Sequence, residues 1–233
     1  MSVSQQLLLT FNNEEDLTFD NFFSNKALSI IVSMLKEQIY TQQTDSIVIS
    51  GEAAMGKTHL LKAACLFAYE HNVKPLYLPL RVLASYHPES VLTDLERFHF
   101  LCIDDCDSVA GNLLWEEALF NLYNTRLDQG LPILYSMQRT AIRSSFLLED
   151  LKSRLTACLG FHIKTFTDDE KIHFLQFQAK QKGMDLSLSS AEYILRRYNR
   201  DLNSLHQLIE KLAEVTLIES RRLTVPFIKS FLN

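Results

Sequence analysis

Glycine, proline and cysteine are scarce in this sequence, which has 6 Gly, 5 Pro and 4 Cys among 233 residues. Few turn-forming residues together with 47% hydrophobic residues exclude a disordered chain and predict a sizeable buried core. The cysteines form no Cys-x-x-Cys pair, so we expect reduced, buried thiols rather than disulfides or a zinc site. They are Cys65, Cys102, Cys106 and Cys158.

Excess positive charge, long apolar runs and paired histidines are also missing. A net charge of −5 and a pI near 5.8 argue against a protein that coats DNA through a broad basic face. The first residues lack the pattern of a secretion signal, and no apolar run is long enough to span a bilayer. The 7 histidines show no His-Glu-x-x-His spacing, so no metal beyond Mg²⁺ is suggested. We expect a cytoplasmic protein that has no membrane partner.

A phosphate-binding loop is predicted at residues 51–58, which read Gly-Glu-Ala-Ala-Met-Gly-Lys-Thr. An apolar strand pattern precedes the loop and a helical pattern follows it, as this motif requires. Gly51 and Gly56 allow backbone angles that curl successive N–H groups around an anion. Lys57 can reach the β- and γ-phosphates, and the Thr58 hydroxyl can ligate Mg²⁺. The sequence therefore predicts a site for a nucleoside di- or triphosphate.

Three further residues near this loop are candidate nucleotide contacts. Ala54 lies inside the loop, and His59 follows it directly, although His59 also suits an ordinary helix surface. Phe22 belongs to an aromatic segment, residues 17–23, that precedes a predicted helix. Its ring could form a wall for the base or could simply pack in the core.

Strand and helix patterns alternate from residue 47 to residue 164, which predicts an α/β fold with helices on both faces of a parallel sheet. The third apolar segment is hydrophobic throughout, as expected for a strand that is buried on both faces. The predicted sheet has five strands. The strands are expected at Ile47–Ser50, Leu76–Leu80, Phe98–Ile103, Ile133–Ser136 and Phe161–Lys164, and the helices at Lys26–Tyr40, Lys57–His71, Glu89–Arg97, Leu113–Leu127 and Leu147–Leu155.

No strand pattern follows residue 164, and the remaining residues predict a small all-helical domain. Residues 167–170 and 189–192 both have the spacing of a capping box, which marks the start of a helix. A third helix carries leucines on one face, and a fourth begins at Thr224. The predicted organisation is an N-terminal segment (1–16), an α/β nucleotide-binding domain (17–165) and a helical domain (166–233).

Acidic residues follow the third predicted strand, at the edge where ligands bind in open parallel sheets. Asp104 can hold Mg²⁺ through water, and Asp105 can polarise the water that attacks the γ-phosphate. A solvated Asp-Asp turn is the plainer alternative. At the end of the fourth strand, Gln138 or Ser136 could contact the γ-phosphate or orient that water.

Two arginines in the second half of the chain could reach phosphate oxygens with paired hydrogen bonds. Arg154 belongs to a short helical segment, and Arg200 opens the third helix of the helical domain. Taken alone, each of them is more typical of an ordinary surface arginine.

The N-terminal segment contains one apolar cluster, residues 6–11, beside an acidic stretch. On physical grounds alone, a strand that packs on the domain is the simpler interpretation. The alternative is a linear docking peptide, in which Gln6 forms hydrogen bonds while Leu9 and Phe11 fill a pocket on a partner.

Together these features resemble the AAA+ ATPases, and more closely the Hda family of proteins related to the bacterial replication initiator DnaA. Three stretches carry the closer resemblance, and the likeness covers essentially the whole chain. The features shared with AAA+ proteins are the phosphate loop, Asp104-Asp105, the polar residue at the end of the fourth strand, Ser153-Arg154-Leu155 and the helical lid with Arg200. The stretches shared with the Hda family are residues 102–111, 114–124 and 223–229.

The resemblance implies an AAA+ core and a helical lid that bind ADP or ATP with Mg²⁺. It implies that Arg154 is an arginine finger offered in trans to ATP held by DnaA, and that Arg200 senses the bound nucleotide. The implied function is to bring DnaA–ATP to the DNA polymerase sliding clamp and to stimulate its hydrolysis, which prevents re-initiation of replication. The resemblance also makes residues 6–11 the clamp-docking peptide, with Gln6, Leu7, Leu9 and Phe11 as its contacts.

Such a protein would be located in the bacterial cytoplasm, would associate with the nucleoid through the clamp, and would not read a DNA sequence directly. A homodimer or larger oligomer is compatible with this function. Two alternatives remain open. A DNA-binding AAA+ remodeller or helicase loader is disfavoured by the acidic composition, and a small-molecule phosphotransferase is disfavoured because the helical domain comes last.

The chain departs from the family pattern at two points. Some members have a degraded phosphate loop, whereas this chain retains Lys57 and Thr58 and has Asp105 as a second acidic residue. Residues 136–139 lack the Asp that is expected before the Arg, which argues against efficient hydrolysis by this chain itself. The sequence therefore predicts at most weak intrinsic ATPase activity.

Overall fold

The computed structural model describes residues 17–219 and 223–232. The chain divides between Lys164 and Thr165 into two compact units. The first unit contains a five-stranded sheet with flanking helices, and the second contains helices. The predicted α/β fold class with a helical lid is therefore confirmed. The apolar cluster at residues 6–11 lies outside the described residues.

The order of strands and helices in the first unit follows the predicted alternation, with three short segments added: a helix at Leu80–Leu83 and 3₁₀ segments at Cys106–Val109 and Ala141–Arg143. The strands are β1 (Ile47–Gly51), β2 (Pro75–Pro79), β3 (Phe100–Asp104), β4 (Ile133–Met137) and β5 (Leu159–Ile163). The helices are α1 (Lys26–Thr41), α2 (Lys57–Glu70), α3 (Leu80–Leu83), α4 (Pro88–Leu92), α5 (Leu113–Asp128) and α6 (Glu149–Ala157).

The sheet has the strand order β2-β3-β4-β1-β5, and every neighbouring pair is parallel. Every residue of β1, β3 and β4 is buried, which explains why these segments are mostly apolar. Because all strands run in one direction, the segments that follow β1, β3 and β4 meet at one edge of the sheet. The topology thus brings the phosphate loop, the acidic pair and the polar residues after β4 together.

Side-chain caps that are visible in the sequence start two of the longer helices. Asn112 accepts a hydrogen bond from the N–H of Trp115 at the start of α5. Thr167 and Glu170 form the predicted reciprocal capping box. The capping box predicted at residues 189–192 is wrong, because Ser187 is the residue that caps the next helix.

Two other sequence predictions need correction. The helix expected at Glu89–Arg97 is only the short helix α4, because the backbone becomes extended at Thr93 and left-handed at Asp94, where φ is 58°. The last strand begins at Leu159 rather than Phe161. Its first residues are mostly exposed, so they lack the continuous apolar run that marked the other strands.

Arg126 is a buried cation near the end of α5, with 1% of its surface exposed. Its guanidinium donates to four main-chain carbonyl groups at distances from 3.1 to 3.5 Å. Burial lowers the pKa of Arg126 to about 10. The side chain thereby ties α5 to the loop before β3 and to the residue that precedes β4. The acceptors are the carbonyl groups of Leu95, Phe98, His99 and Pro132.

The second unit packs four helices through their apolar faces: α7 (Asp168–Gln181), α8 (Leu188–Arg197), α9 (Leu202–Glu219) and α10 (Val225–Leu232). The hydroxyl of Ser190 in α8 is buried and donates to the carbonyl oxygen of Leu223 at 2.9 Å. This bond joins α8 to the segment that leads into α10. The apolar face predicted for α9 is buried, as expected, and consists of Leu202, Leu205, Leu208, Ile209 and Leu212.

A search of residues 17–219 and 223–232 finds no helix whose length and apolar character would let it cross a bilayer.

Replacement of Arg126 by Met should destabilise the first unit. The change removes a donor from four carbonyl groups, although it also removes the desolvation cost of the cation, so we expect a loss of about 2–4 kcal/mol. Urea unfolding monitored by circular dichroism measures this difference. The control is Arg143→Met, since Arg143 is exposed and a surface substitution changes stability by about 0.5 kcal/mol or less. Equal midpoints for the two variants would contradict the structural role of Arg126.

Candidate nucleotide site

The loop after β1 has the geometry that its two glycines predict. Gly56 has a φ of +81°, and a Cβ there would lie 2.8 Å from Cε2 of Phe22. A Cβ at Gly51 would lie 2.9 Å from the carbonyl oxygen of Ile163 in β5. Ala54 is also left-handed, with a φ of 61°. The loop therefore makes a tight turn into α2, and neither glycine has room for a side chain.

Lys57 is the first residue of α2, and only 6% of its surface is exposed. Its Nζ donates hydrogen bonds of 2.7 Å to the carbonyl oxygens of Gly51 and Glu52. Burial lowers the pKa of Lys57, and the carboxylate of Asp105 opposes this shift. The ammonium group therefore lies against the loop, on the side that faces the acidic end of β3.

The buried carboxylate of Asp104 is the centre of a cluster of hydroxyl groups. Its Oδ2 accepts hydrogen bonds of 2.7 Å from Thr58 Oγ1 and from the hydroxyl of Tyr77. Its Oδ1 accepts a hydrogen bond from Ser136 Oγ. Burial and the negative charge of Asp104 raise the pKa of Tyr77, so this phenol is a neutral donor. Three elements of the α/β unit, namely α2, β2 and β4, thus hold one carboxylate.

The strand order explains which polar residues reach Asp104. Strand β4 lies between β1 and β3, and its register pairs Ser136 with Ile49 and Tyr135 with Ile103. Ser136 consequently lies level with the residue after Ile103, which is Asp104. On the other side of β3, Tyr77 pairs with Cys102. The two hydroxyl groups approach the carboxylate from opposite neighbours in the sheet.

Asp105 adopts a left-handed backbone with a φ of 51°, directly after β3. Its N–H donates to Ser136 Oγ at 2.8 Å, and its Oδ2 accepts from Nε of Arg81 at 2.8 Å. The hydrogen bond and the charge of Asp105 raise the pKa of Arg81. The predicted water-polarising carboxylate is therefore ion-paired in this structure, and its catalytic function stays a prediction.

Two residues at the end of β4 are candidates for a contact with the γ-phosphate. Ser136, and not Gln138, lies in the hydroxyl cluster. Ser136 is fully buried and bridges Asp104 and Asp105 through its single hydroxyl group. Gln138 is exposed, and its main-chain N–H donates to Oδ2 of Asp107 at 2.9 Å. This bond fixes the main chain at the end of β4, while the contact of the Gln138 side chain with a γ-phosphate stays a prediction.

The segment before α1 contacts the phosphate loop and the start of α2. In this contact Phe22 of the segment meets His59 of α2. The rings of these two residues meet edge to face, with their centroids 5.0 Å apart. Nε2 of His59 also lies 2.8 Å from the carbonyl oxygen of Thr18 and 3.0 Å from Oδ1 of Asn21. Phe22 is 7% exposed, so its ring is packed as the core-packing alternative predicts. Contact of either residue with a nucleotide stays a prediction.

The oxygen atoms gathered here fit Mg²⁺ and a phosphate chain. A hydroxyl group and a carboxylate lie 2.7 Å apart in Thr58 and Asp104, and hard oxygen donors of this kind are the ligands that Mg²⁺ prefers. Lys57 supplies a positive charge at the start of α2, where the helix dipole also favours an anion. The residues therefore suit Mg²⁺ and a nucleotide in type and in position.

The two candidate arginines lie on different units. Arg154 is exposed in the last turn of α6, and its guanidinium carbon lies 5.9 Å from the ring centroid of Tyr123. Arg200 precedes α9, where Nε donates to the carbonyl oxygen of Leu195 at 3.0 Å and the guanidinium lies 3.3 Å from Asp168. The functions predicted for both arginines stay predictions.

Sequence patterns did not indicate Tyr77 or Arg81, although both touch the acidic pair. Tyr77 lies in a short strand between two buried leucines, and nothing in its spacing sets it apart from a core aromatic residue. Arg81 belongs to a four-residue helix that the sequence did not reveal. Only the pairing of β2 with β3 could have shown that these residues lie beside Asp104 and Asp105.

Replacement of Gly56 by Ala should destabilise the loop and weaken nucleotide binding, because the new methyl group would press into the ring of Phe22 as well as strain the backbone. Gly111→Ala is the matched control, since Gly111 has a φ of +91° with nothing within 4 Å of a Cβ. Both variants bear the backbone strain of about 1–2 kcal/mol, so the difference between them measures the clash. We expect Gly56→Ala to have a lower melting temperature than Gly111→Ala and to bind ADP more weakly, as measured by calorimetry. The same melting temperature and the same ADP affinity in both variants would refute this description of the loop.

Comparison with known proteins covers both units. The family model described as the bacterial DnaA ATPase domain matches residues 13–163, and the model described as the Hda lid domain matches residues 168–232. An uncharacterised protein of Haemophilus influenzae is 34% identical over 99% of this chain and 100% of its own length.

Solved structures show the same fold at lower identity. Domain III of the Thermotoga maritima replication initiation protein DnaA superimposes with a TM-score of 0.77 at 19% identity, over 91% of this chain and 94% of that chain. AMPPCP-bound DnaA from Aquifex aeolicus gives a TM-score of 0.75 at 19% identity, over 87% of this chain and 66% of that chain. The two family models together match residues 13–163 and 168–232 of this chain. The chain therefore belongs to the Hda/DnaA-related family of AAA+ proteins.

Proposed function

We propose that this protein binds ADP or ATP with Mg²⁺, docks on the DNA polymerase sliding clamp and stimulates ATP hydrolysis by DnaA, so that replication is not re-initiated. The observation that carries the proposal is an intact phosphate site in a chain whose C-terminal unit matches the Hda lid domain. An arginine finger would act on the partner's nucleotide, and the chain's own nucleotide would serve to hold its conformation.

The nucleotide part of the proposal is supported by the residues around the loop. The N–H groups of residues 51–58 and the ammonium group of Lys57 would bind the phosphates, and Thr58 and Asp104 would hold Mg²⁺. The metal would neutralise phosphate charge when bound. AMPPCP occupies the Aquifex aeolicus relative, which supports an adenine nucleotide as the ligand.

The geometry of the acidic pair supports weak hydrolysis by this chain itself. Hydroxyl groups donate to both oxygens of Asp104, and Arg81 pairs with Asp105, whose carboxylate would have to polarise the attacking water. A carboxylate that already accepts a charged hydrogen bond is a poorer base. The main activity would then be the stimulation of a partner through Arg154, which is exposed and able to reach another protein.

Two other functions make different predictions. A DNA-binding AAA+ remodeller would show ATPase activity that rises with DNA, and a small-molecule phosphotransferase would consume ATP only with its acceptor. The net charge of −5 gives little support to the first. A helical unit placed after the sheet, rather than inserted in it, gives little support to the second.

Removal of residues 1–11 should abolish binding to the sliding clamp of the same organism while leaving ADP binding intact. Surface plasmon resonance with immobilised clamp measures the first property, and calorimetry measures the second. Within the segment, Gln6→Ala should weaken clamp binding by about tenfold or more, as expected for a central contact, whereas the matched control Gln5→Ala should not. Absence of clamp binding by the intact protein would overturn the docking proposal.

Stimulation of DnaA provides the separate test of the arginine finger. With DnaA–ATP and clamp loaded on DNA, the intact protein should raise the rate of phosphate release, and Arg154→Ala should lose most of this increase, on the order of a thousandfold at the site of transfer. Arg143→Ala is the control, because Arg143 is a comparably exposed arginine of the same unit. Full stimulation by the Arg154 variant would contradict the proposed mechanism.

A further inference from the structure

Helix α5 contacts the segment that holds Arg154 at both ends of α6. The contacts come from Glu116 and Tyr123, which are seven residues apart and therefore lie on the same face of α5. Both belong to residues 114–124, a stretch singled out in the sequence to which no function has been given so far. The site described above does not use either residue.

Glu116 anchors the beginning of α6. Its side chain is fully buried, and Oε2 accepts hydrogen bonds from the N–H groups of Leu147 at 2.8 Å and Leu148 at 2.7 Å. Leu148 is the N-cap residue of α6 and has no capping side chain of its own. A carboxylate from another helix therefore caps α6 and interacts favourably with the positive end of its dipole.

The same carboxylate also holds the chain that follows β3. Oε1 of Glu116 accepts a 2.6 Å hydrogen bond from the N–H of Gly111, a few residues after the acidic pair. One buried charge thus joins the segment after Asp105 to the start of the helix that carries Arg154. Three main-chain donors compensate for its desolvation, which makes the position of α6 depend on this residue.

Tyr123 acts at the other end of α6. Its ring is buried, and the guanidinium carbon of Arg154 lies 5.9 Å from the ring centroid, within the range of a cation–π contact. The thiol of Cys158, the C-cap residue of α6, donates to the carbonyl oxygen of Arg154 at 3.4 Å. The ring of Tyr123 belongs to the buried core cluster of this unit, while the arginine that lies over it is exposed.

We propose that α5 positions Arg154 for action on a partner: Glu116 fixes the start of α6, and the ring of Tyr123 holds the guanidinium. This inference rests on the proposed function of Arg154. A free arginine side chain has many rotamers, whereas transition-state stabilisation requires one orientation. Contact with the aromatic face reduces the number of orientations before the partner arrives. Tyr123 and Glu116 are positioning residues, since neither is expected to touch the nucleotide.

The first experiment asks whether the contact exists in solution, and it does not depend on the proposed function. In the full-length protein, the Nε–H resonance of Arg154, assigned by its loss in Arg154→Lys, should show an upfield ring-current shift. Tyr123→Phe should retain the shift, and Tyr123→Leu should abolish it. Tyr69→Leu is the control, because Tyr69 is an exposed tyrosine on α2. An Arg154 resonance that is the same in the intact protein and in Tyr123→Leu would overturn the proposal.

The second experiment measures the effect on stimulated hydrolysis of DnaA–ATP, with clamp on DNA and increasing concentrations of each variant. Tyr123→Leu should lower the maximal rate by up to about fivefold, the size expected for loss of one exposed cation–π contact, without changing the concentration that gives half the maximum. Tyr123→Phe should restore the rate to within about twofold, because it keeps the ring. An equal loss in both variants would show that the hydroxyl group of Tyr123, and not its ring, is required, and would overturn the proposal.

Two further variants keep these outcomes interpretable. Tyr123→Met replaces Tyr123→Leu if the latter does not fold, since Met fills irregular spaces without an aromatic face. Glu116→Gln should lower the maximal rate as well, because it weakens the cap of α6 without changing the size of the side chain. If Arg154→Ala stimulates fully, the proposed function fails, whereas the resonance of Arg154 still tests its contact with Tyr123.

Discussion

The carboxylate of Asp104 accepts hydrogen bonds from hydroxyl groups of α2, β2 and β4, and the arrangement of the α/β unit makes this convergence possible. A buried carboxylate is stable only when its oxygens receive donors. Thr58 connects it to the phosphate loop, and Ser136 connects it to the strand that separates β1 from β3. The candidate nucleotide site is thus one hydrogen-bonded network in which the position of each part depends on the parallel sheet.

Buried charge has a second use in this unit, along helix α5. Glu116 near its start and Arg126 near its end are both almost completely buried, and each bonds to main-chain groups. Main-chain donors and acceptors hold a charge without requiring a second long side chain to be ordered. The helix therefore fixes loops on both sides of β3 and, through Glu116 and Tyr123, the helix that carries Arg154.

Much of the fold and part of the site could be predicted from the residues alone. Apolar runs gave the approximate positions of β1 to β4, three of which (β1, β3 and β4) are buried throughout. The spacing of Gly51, Gly56, Lys57 and Thr58 indicated the loop. The errors occurred where the local pattern was weak. Helix α4 is short because the main chain turns at Thr93 and Asp94, and β5 begins in exposed residues, so neither boundary is visible as periodicity.

The sequence by itself determined the α/β class, the helical second unit, the phosphate loop and the acidic pair, because each is encoded by neighbouring residues with a fixed spacing. Only the tertiary structure decided which side chains surround Asp104 and Asp105, since Tyr77, Arg81 and Ser136 reach them through strand order and register. It also decided that Glu116 and Tyr123 contact α6, more than twenty residues away along the chain. Contacts of this kind depend on packing between elements, and hydrophobic patterns in one segment contain no information about the partner that the segment will meet.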